Sequence, residues 1–525
     1  MFGVLRNFYL NSFLYDRKIS NTQDKILKYK PSPHLFYSII KVKTKKYNIN
    51  DFSLKSIWTN KDLNQNQVNK LNNFFWLFSL DLKSSFLEVQ SVINEWIEKN
   101  YKFDSKIWNF NTTSKRLISW LSNSKLTYDE SSNVYKKNFN HIVQKQAHHL
   151  IKQIDKMNDN NKLIGSSAII LVGLSLSDTN SILQKGLDNL KKVIKNCLDD
   201  TSFPKSRSIN QSIFFLKYLI LIREWYKESQ NEIPEFINEH IFNLGKSYSF
   251  FYDKIDEVPL FNGNNSFNSI DFDNYLKKLG YFFKSENCEN SGYLFFNNKK
   301  TNLIMDVGPS PLKKFSEYYQ AGALSFEFFY NRKKIFTNSG YYRNNRKLNE
   351  ISKSTAVHNT LVINDTSSCK FKKNLKSNLE IQSGLKIYKK KLTYEKNYWK
   401  ITASHDGYMK RYNLIHERDI EFYPNENKLV GLDKIIGKKI TPNLKFEIRF
   451  HLNPLSKVMK TQDNKSIFID IDSEGWKFTC NDYEINIDNG LYFGKKNIYT
   501  ENQNILVSGF TSSKGNEIKW EISKL

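Results

Sequence analysis

The hydrophobic period of this chain changes once, near Tyr281, from that of a helix to that of a strand. Upstream, Phe86, Val89, Val92, Ile93, Trp96 and Ile97 recur at steps of three and four. So do Ile182, Leu183, Leu187, Leu190, Val193, Ile194 and Leu198. Such spacing lays each set along one face of a helix. Residues 213–226 and 236–251 continue the pattern, and the longest apolar run, 163–176, is too short to span a bilayer and reads as a buried helix. Helix follows helix with no strand pattern between. Paired antiparallel helices stacked into an arc or toroid are the simplest way to bury those faces.

Downstream the period is two. Leu303, Met305 and Val307 alternate with Asn302, Ile304 and Asp306, and Leu324, Phe326 and Phe328 with Ser325 and Glu327. Leu444, Phe446, Ile448, Phe450 and Leu452 alternate with Lys445, Glu447, Arg449, His451 and Asn453. The tail offers Ile505 and Val507, a turn at Lys514-Gly515, then Ile518, Trp520 and Ile522. Many short segments of this kind predict stacked antiparallel sheets. The boundary falls near residues 255–290, around Asn262-Gly263-Asn264-Asn265. The expected organisation is a mixed segment over 1–70, an incomplete (α/α) toroid over 71–285 and an antiparallel β-sandwich over 286–525. No low-complexity linker divides the halves, so they are expected to pack with a groove between them.

The 525 residues carry a formal charge of +26, from 79 basic against 53 acidic side chains. That field attracts polyanions, whether nucleic acid, anionic lipid or acidic polysaccharide. Drift towards Lys, Asn, Ile, Phe and Tyr would produce the same number without a partner. No nucleic-acid module is recognisable, so nucleic acid is not expected. Cys197, Cys288, Cys369 and Cys480 stand far apart with no CxxC pair, which argues against a zinc knuckle or redox motif and for isolated reduced thiols. Arg6, Asn7 and Asn11 interrupt the apolar start, and no small-residue cleavage site follows, so a secretory signal is not expected.

The stretch from Lys353 to Asp365 carries the chemistry. Residues 359–363 read as a strand, and the small Ser354, Thr355 and Ala356 before it let the backbone pass close to something. His358 beside Asn359 at the mouth of that strand suits proton transfer and carboxylate contact. A core imidazole hydrogen-bonded to backbone is the competing reading.

Further segments follow in an order that resembles the heparinase II/III-like family of polysaccharide lyases. They are residues 71–80 with Trp76-Leu77, Leu260-Phe261-Asn262-Gly263, Asp306-Val307-Gly308-Pro309, Ala323-Leu324-Ser325-Phe326-Glu327, Asn338-Ser339-Gly340 and Ser354-Thr355-Ala356-Val357-His358-Asn359-Thr360. His405-Asp406-Gly407-Tyr408, His416-Glu417-Arg418 and the run from Arg449 to Pro454 complete the series. The resemblance implies a helical toroid followed by a β-sandwich. It also implies β-elimination at a uronic acid: the C5 carboxylate is neutralised, a base takes the C5 proton and an acid protonates the leaving O4. The implied partner is an acidic polysaccharide, and no redox cofactor is needed. Relatives often work in the periplasm or outside the cell. A catalytically degenerate glycan-binding or envelope-assembly protein on the same fold is the alternative.

Carried over residue by residue, the resemblance is incomplete. Some members hold a zinc through two His and one Asp, but the family's His-x-His-x-Asp falls on Tyr318-Tyr319-Gln320-Ala321-Gly322 and its later Asp on Asn338. Of that set only His358 remains, so no metal is expected. The toroid tyrosine falls near Gln211, and the Arg before Ser-Thr-Ala is Lys353.

The candidates are therefore these. His358 is the base or a carboxylate contact. Tyr318 or Tyr319 supplies a phenol for acid or base work, against sugar stacking or a plain surface aromatic. Arg207 offers a fork for a carboxylate, against an ordinary ion pair. Asn359 and Asn161 are carboxylate contacts, Asn161 standing where the toroid Asn is expected. Tyr342 and Arg346, with Tyr341 and Arg343, line a basic aromatic groove, against an ordinary polar loop. His405 contacts substrate or, like His451, holds structure. Lys389-Lys390-Lys391 is a solvated charge cluster.

Overall fold

The computed structural model describes residues 2–40, 58, 63–80, 86–253, 255–265, 267, 269–374, 378–495 and 498–525. Parts of the expected mixed segment, residues 41–57 and 59–62, lie outside them. The chain divides into two compact units. The first comprises Met1–Cys197, Phe214–Phe242 and Phe272–Gly280, and the second Leu198–Ile213, Asn243–Asp271 and Tyr281–Leu525.

The first unit is helical. Phe86–Asn100 buries Val89, Val92, Ile93, Trp96 and Ile97, the stripe read from the sequence. In Asp159–Ser175 every residue from Leu163 onward is buried, as expected of a helix apolar on all sides. Asn158 caps that helix by accepting from Asn161 N, and Ser132 caps Asn133–Gln153 by accepting from Tyr135 N. The next helix, Asn180–Cys197, lies so close to it that a Cβ on Gly173 would stand 2.6 Å from Leu183 Cα. Arg116 is fully buried with its guanidinium 4.2 Å from the centre of the Trp96 ring, donating to Gln146 Oε1 at 2.7 Å and Asn72 O at 2.9 Å.

The second unit is antiparallel sheet. Among the described residues a five-stranded sheet runs in sequence order from Glu289–Asn290 to Lys333–Phe336. A four-stranded sheet holds Leu361–Ile363 at one edge, beside Lys445–His451. A bridge from Phe336 to Leu452 links these two. An eight-stranded sheet packs across them and shares one apolar core with both. Phe326 stacks on Trp520 with ring centres 5.6 Å apart, and Phe450 meets Trp520 and Phe478 edge-on or tilted at 4.8 and 4.9 Å. The chain therefore has a helical N-terminal region followed by an antiparallel sandwich.

Two details depart from the sequence reading. The strand expected over 359–363 begins at Leu361, because Thr355–Val357 forms a 3-10 turn that His358 ends and the Asn359 side chain is spent on neighbouring backbone. The strand Thr301–Asp306 is buried on both faces. Its apolar face meets the sandwich core, while Asp306 on the other face meets residues of Leu198–Ile213 and Asn243–Asp271.

Candidate active site

Within the second unit four connecting segments converge on one polar cluster. Glu327 Oε1 accepts from Asn338 N at 2.9 Å and its Oε2 from Leu260 N at 3.1 Å, while the buried Lys334 pairs with it at 3.0 Å. This carboxylate ties the turn at residues 260–264 to the segment at 338–340. In that turn Asn262 has φ 45° and Gly263 φ 81°. A Cβ on Gly263 would stand 2.6 Å from Tyr318 Cβ, so the left-handed turn seats directly on the 316–323 loop. Asn262 Nδ2 donates to Tyr293 Oη at 2.6 Å and Asp306 Oδ2 at 3.1 Å, and its Oδ1 accepts from Gln320 N at 3.2 Å. Gln320 Oε1 accepts from Gly263 N at 3.0 Å, and its Nε2 donates to Gly340 O and Ser352 O at 2.8 and 2.5 Å. Lys353 Nζ then donates to Ser316 O, Glu317 O and Tyr319 O at 3.2, 2.6 and 3.1 Å. Burial pushes that ammonium down to about 7.

His358 sits at the end of this scaffold and is 1% exposed. Its Nδ1 lies 2.9 Å from Ser354 O. A carbonyl oxygen only accepts, so Nδ1 holds the proton and Nε2 holds the lone pair. That Nε2 is buried and meets no hydrogen-bond donor. Burial pushes the imidazole down to about 4, which keeps it neutral around pH 7. Its Cδ2 would lie 2.6 Å from a Cβ on Gly322, so only a glycine there leaves room for the ring. Asn338 Nδ2 is likewise buried and unpartnered, while its Oδ1 accepts from Asn359 N at 3.0 Å. His451, pushed down to about 3 by burial, places Nε2 3.0 Å from Ala356 O.

The other sequence candidates are placed as follows. Tyr319 is fully buried against the Cys369 thiol, and burial pushes its phenol well above the ordinary value. Tyr318 is half-buried, with the Arg343 guanidinium 5.8 Å from its ring centre, and Arg343 pairs with Glu317 at 2.7 Å. Arg207, with φ 61°, is buried and donates to Asp306 Oδ1 at 2.8 Å and Gly308 O at 3.2 Å above the Tyr293 ring. Asn359 is fully buried, its Nδ2 donating to Phe326 O and its Oδ1 accepting from His451 N. Tyr342 packs its ring against Phe493, and the exposed Arg346 reaches Glu350 at 3.4 Å. His405 accepts from Gly407 N on Nδ1 and contacts His416 at 3.3 Å; His416 in turn donates to Asp433 at 2.6 Å. Arg418 and Trp520 also donate to Asp433, whose carboxyl is held well below its usual range by the Arg418 charge despite its burial. Asn161 belongs to the first unit, where it accepts from Asn111 Nδ2 at 2.7 Å.

Tyr319, Arg207 and Asp306 thus share one electrostatic neighbourhood, and Gln320 connects it to the His358 segment. Arg346 stands apart on the surface as the first residue of the short helix Arg346–Ser352, while the half-buried Tyr342 is tied to that helix through its carbonyl, which accepts from Asn349 Nδ2 at 2.6 Å. Sequence reading assigned no role to Asp306, Asn262 or Gln320 although each lies within a quoted motif. The signal that could have found Asp306 is the need of a buried arginine for a carboxylate.

The zinc implied by the resemblance does not fit these residues. Gly322 offers no donor, and the Gln320 amide is engaged by backbone groups through both its oxygen and its nitrogen. Among the described residues no three His, Cys, Asp or Glu side chains come together to hold a metal ion.

The profile described as heparinase II/III-like, C-terminal, matches residues 283–521. No curated protein matches the chain by sequence. Among solved structures, a mutant of the heparan sulfate lyase HepC from Pedobacter heparinus superposes with a TM-score of 0.72 at 13% identity, over 97% of this chain and 85% of that one. A heparinase III with methylated lysines gives 0.71 at 12% identity over 95% and 85%, and another heparinase III gives 0.66 at 16% identity over 99% and 89%. Residues 283–521 match the heparinase II/III-like C-terminal domain, and the chain shares the fold of these heparan sulfate lyase and heparinase III structures.

Proposed function

We propose that this protein is a polysaccharide lyase that cleaves a uronate-containing polysaccharide by β-elimination. The observation that carries the reading is the His358 imidazole: neutral, with Nδ1 fixed as the donor to Ser354 O and an Nε2 lone pair that nothing in its surroundings occupies. A base for the C5 proton needs that protonation state and that tautomer. The phenol of the half-buried Tyr318 is the counterpart acid, whereas the expected alternative, Tyr319, is fully buried, and burial raises its pKa. Asn359, His405 and Asn161 have their side chains engaged within the protein, and Arg207 serves as the partner of Asp306. In this reading Asn359, His405 and Arg207 support the site's shape, and carboxylate binding is left to Arg343, whose guanidinium lies beside the Tyr318 ring.

The test is incubation with a panel of acidic polysaccharides, following the ultraviolet absorbance of an unsaturated product. The wild type is expected to generate product on at least one uronate polymer, and His358→Ala to lower the rate by about two to four orders of magnitude. Flat traces on every polymer from folded protein would sink the proposal. A second reading, glycan binding without turnover, is favoured by two observations: His358 is 1% exposed, and Gly322 stands where the family resemblance places a ligating carboxylate. It predicts saturable, salt-sensitive binding with no product before or after the same substitution.

A further inference from the structure

A cavity of about 400 Å³ opens on the second unit beside the two-stranded sheet Lys370–Lys373 and Leu379–Ser383. Its size falls in the range of about 300–1,000 Å³ usual for small-molecule sites. Lys370, Lys410 and Arg411 line it together with Thr366, Ser367 and Ser368, and no carboxylate does. Among the described residues none of the three cations has an acidic partner within ion-pair distance, although most lysines of the neighbouring strands do. Asp406, next in sequence to the lining Gly407, has its oxygens taken by Lys386 N at 2.7 Å and Tyr388 Oη at 3.0 Å. Ser367 Oγ, which lines the cavity, accepts from Thr355 N at 3.1 Å and keeps its own hydrogen as a donor. Ser368 lies 3.2 Å from Thr355 Oγ1 and donates its backbone N–H to that oxygen at 2.9 Å.

We propose that this cavity is an oxyanion site, filled by a free sulfate, phosphate or carboxylate or by such a group on a charged saccharide. Three cations without counter-charges repel one another, and an oxyanion relieves that repulsion. A guanidinium fork pairs two oxygens of one anion, and the two ammonium groups and the Ser367 hydroxyl take the rest, since Thr366 donates to Ile363 O and Ser368 is held by Thr355 and Ala321. Thr355, which both serines hold, opens the 3-10 turn that ends on His358. An anion in the cavity therefore braces the turn that carries the imidazole. The site does not depend on the lyase reading, because binding is measured without product.

The experiment is calorimetric titration of the full chain with sodium sulfate at low ionic strength, and separately with a sulfated heparin hexasaccharide. The variant K370Q/K410Q/R411Q removes the lining charge, and K457Q/K465Q/K514Q removes the same charge from exposed positions elsewhere on the unit. Circular dichroism checks that both fold. The expected result is sulfate binding in the wild type and in the second variant, weakened at least about tenfold in the first. If the hexasaccharide shows the same loss, the anion is saccharide-borne; if only sulfate does, it is a free anion, and either outcome supports the site. Absence of sulfate binding to the wild type, or equal loss in the two variants, overturns it. A chain that binds sulfate yet forms no product fails the lyase proposal and passes this one.

Discussion

At the scale of single residues, the pair Arg207–Asp306 shows how this cluster is held. Both side chains are almost fully removed from water, 8% and 2% exposed, and Asp306 also accepts from Gly308 N and Asn262 Nδ2. A charge buried in this way is costly once its partner is gone. Asp306→Asn is expected to lower unfolding free energy by about 3–5 kcal/mol, since it strands the Arg207 guanidinium among carbonyls. Arg207→Met should cost less, because Asp306 keeps two hydrogen-bond donors. The double variant should cost less than the sum of the two. Urea denaturation of all three checks this. A cost below about 1 kcal/mol for Asp306→Asn would show that the pair is not the clamp its geometry suggests. The sequence made Arg207 conspicuous as a fork for a substrate carboxylate, but it could not reveal that the chain supplies the carboxylate itself. The partner is 99 residues away and sits on the face of a strand that alternation marks as polar.

At the scale of elements, period was legible and close approach was not. The stripe of Phe86–Asn100 and the run inside Asp159–Ser175 are buried as their spacing demands. In Asn180–Cys197, by contrast, Leu183 and Leu187 are only half-buried while Gly186 is fully so, because that helix meets its neighbour at a glycine. Hydrophobicity scores side chains, and a contact made by a missing side chain leaves no mark in it. The sandwich repeats the lesson. Trp520 pairs with Gly431 across adjacent strands, and a Cβ on that glycine would stand 2.0 Å from the indole ring. The tail strand was readable from Ile518, Trp520 and Ile522, but the slot that receives the indole was not. Gly431→Ala is expected to destabilise the protein by about 1–3 kcal/mol through overpacking, and to disturb the bond from Trp520 Nε1 to Asp433. A melting temperature equal to that of the wild type would mean that the strands absorb the methyl group without moving the ring. The same limit applies at the candidate site, where Gly322 makes room for His358. The sequence showed a lost carboxylate there and gave no hint of the imidazole that fills its space.

At the scale of the whole molecule, the buried imidazoles govern how stability responds to acid. Burial pushes His149 and His451 down to about 3 and His358 to about 4, and it lowers His405 and His416 as well. An unfolded chain protonates the same rings near their ordinary value of 6.5. Between those values the unfolded chain binds more protons than the folded one, so the imidazoles' contribution is fully present above about 6.5 and declines as pH falls towards 4. Each tenfold weakening of proton binding corresponds to about 1.4 kcal/mol, so the drop of His358 from 6.5 to about 4 contributes about 3 kcal/mol to the loss. Asp433 and Glu447, whose pKa values are lowered, give up their contributions only below the ordinary carboxylate range. Glu327, raised by burial, acts in the opposite sense in the same window, but it is one group against several imidazoles. The expected observation is a melting temperature that already declines from pH 8 to about 7, where the unfolded chain protonates Lys353 and the folded one does not, and that falls more steeply from about 6.5 to about pH 4.5, before carboxylate titration contributes. His451→Gln keeps a side-chain amide that can donate to Ala356 O and should shallow that decline even if it lowers the plateau. A melting temperature unchanged between about pH 7 and pH 5 would mean that these rings already carry protons in the folded protein. That result would also remove the neutral lone pair on which the elimination chemistry of His358 depends.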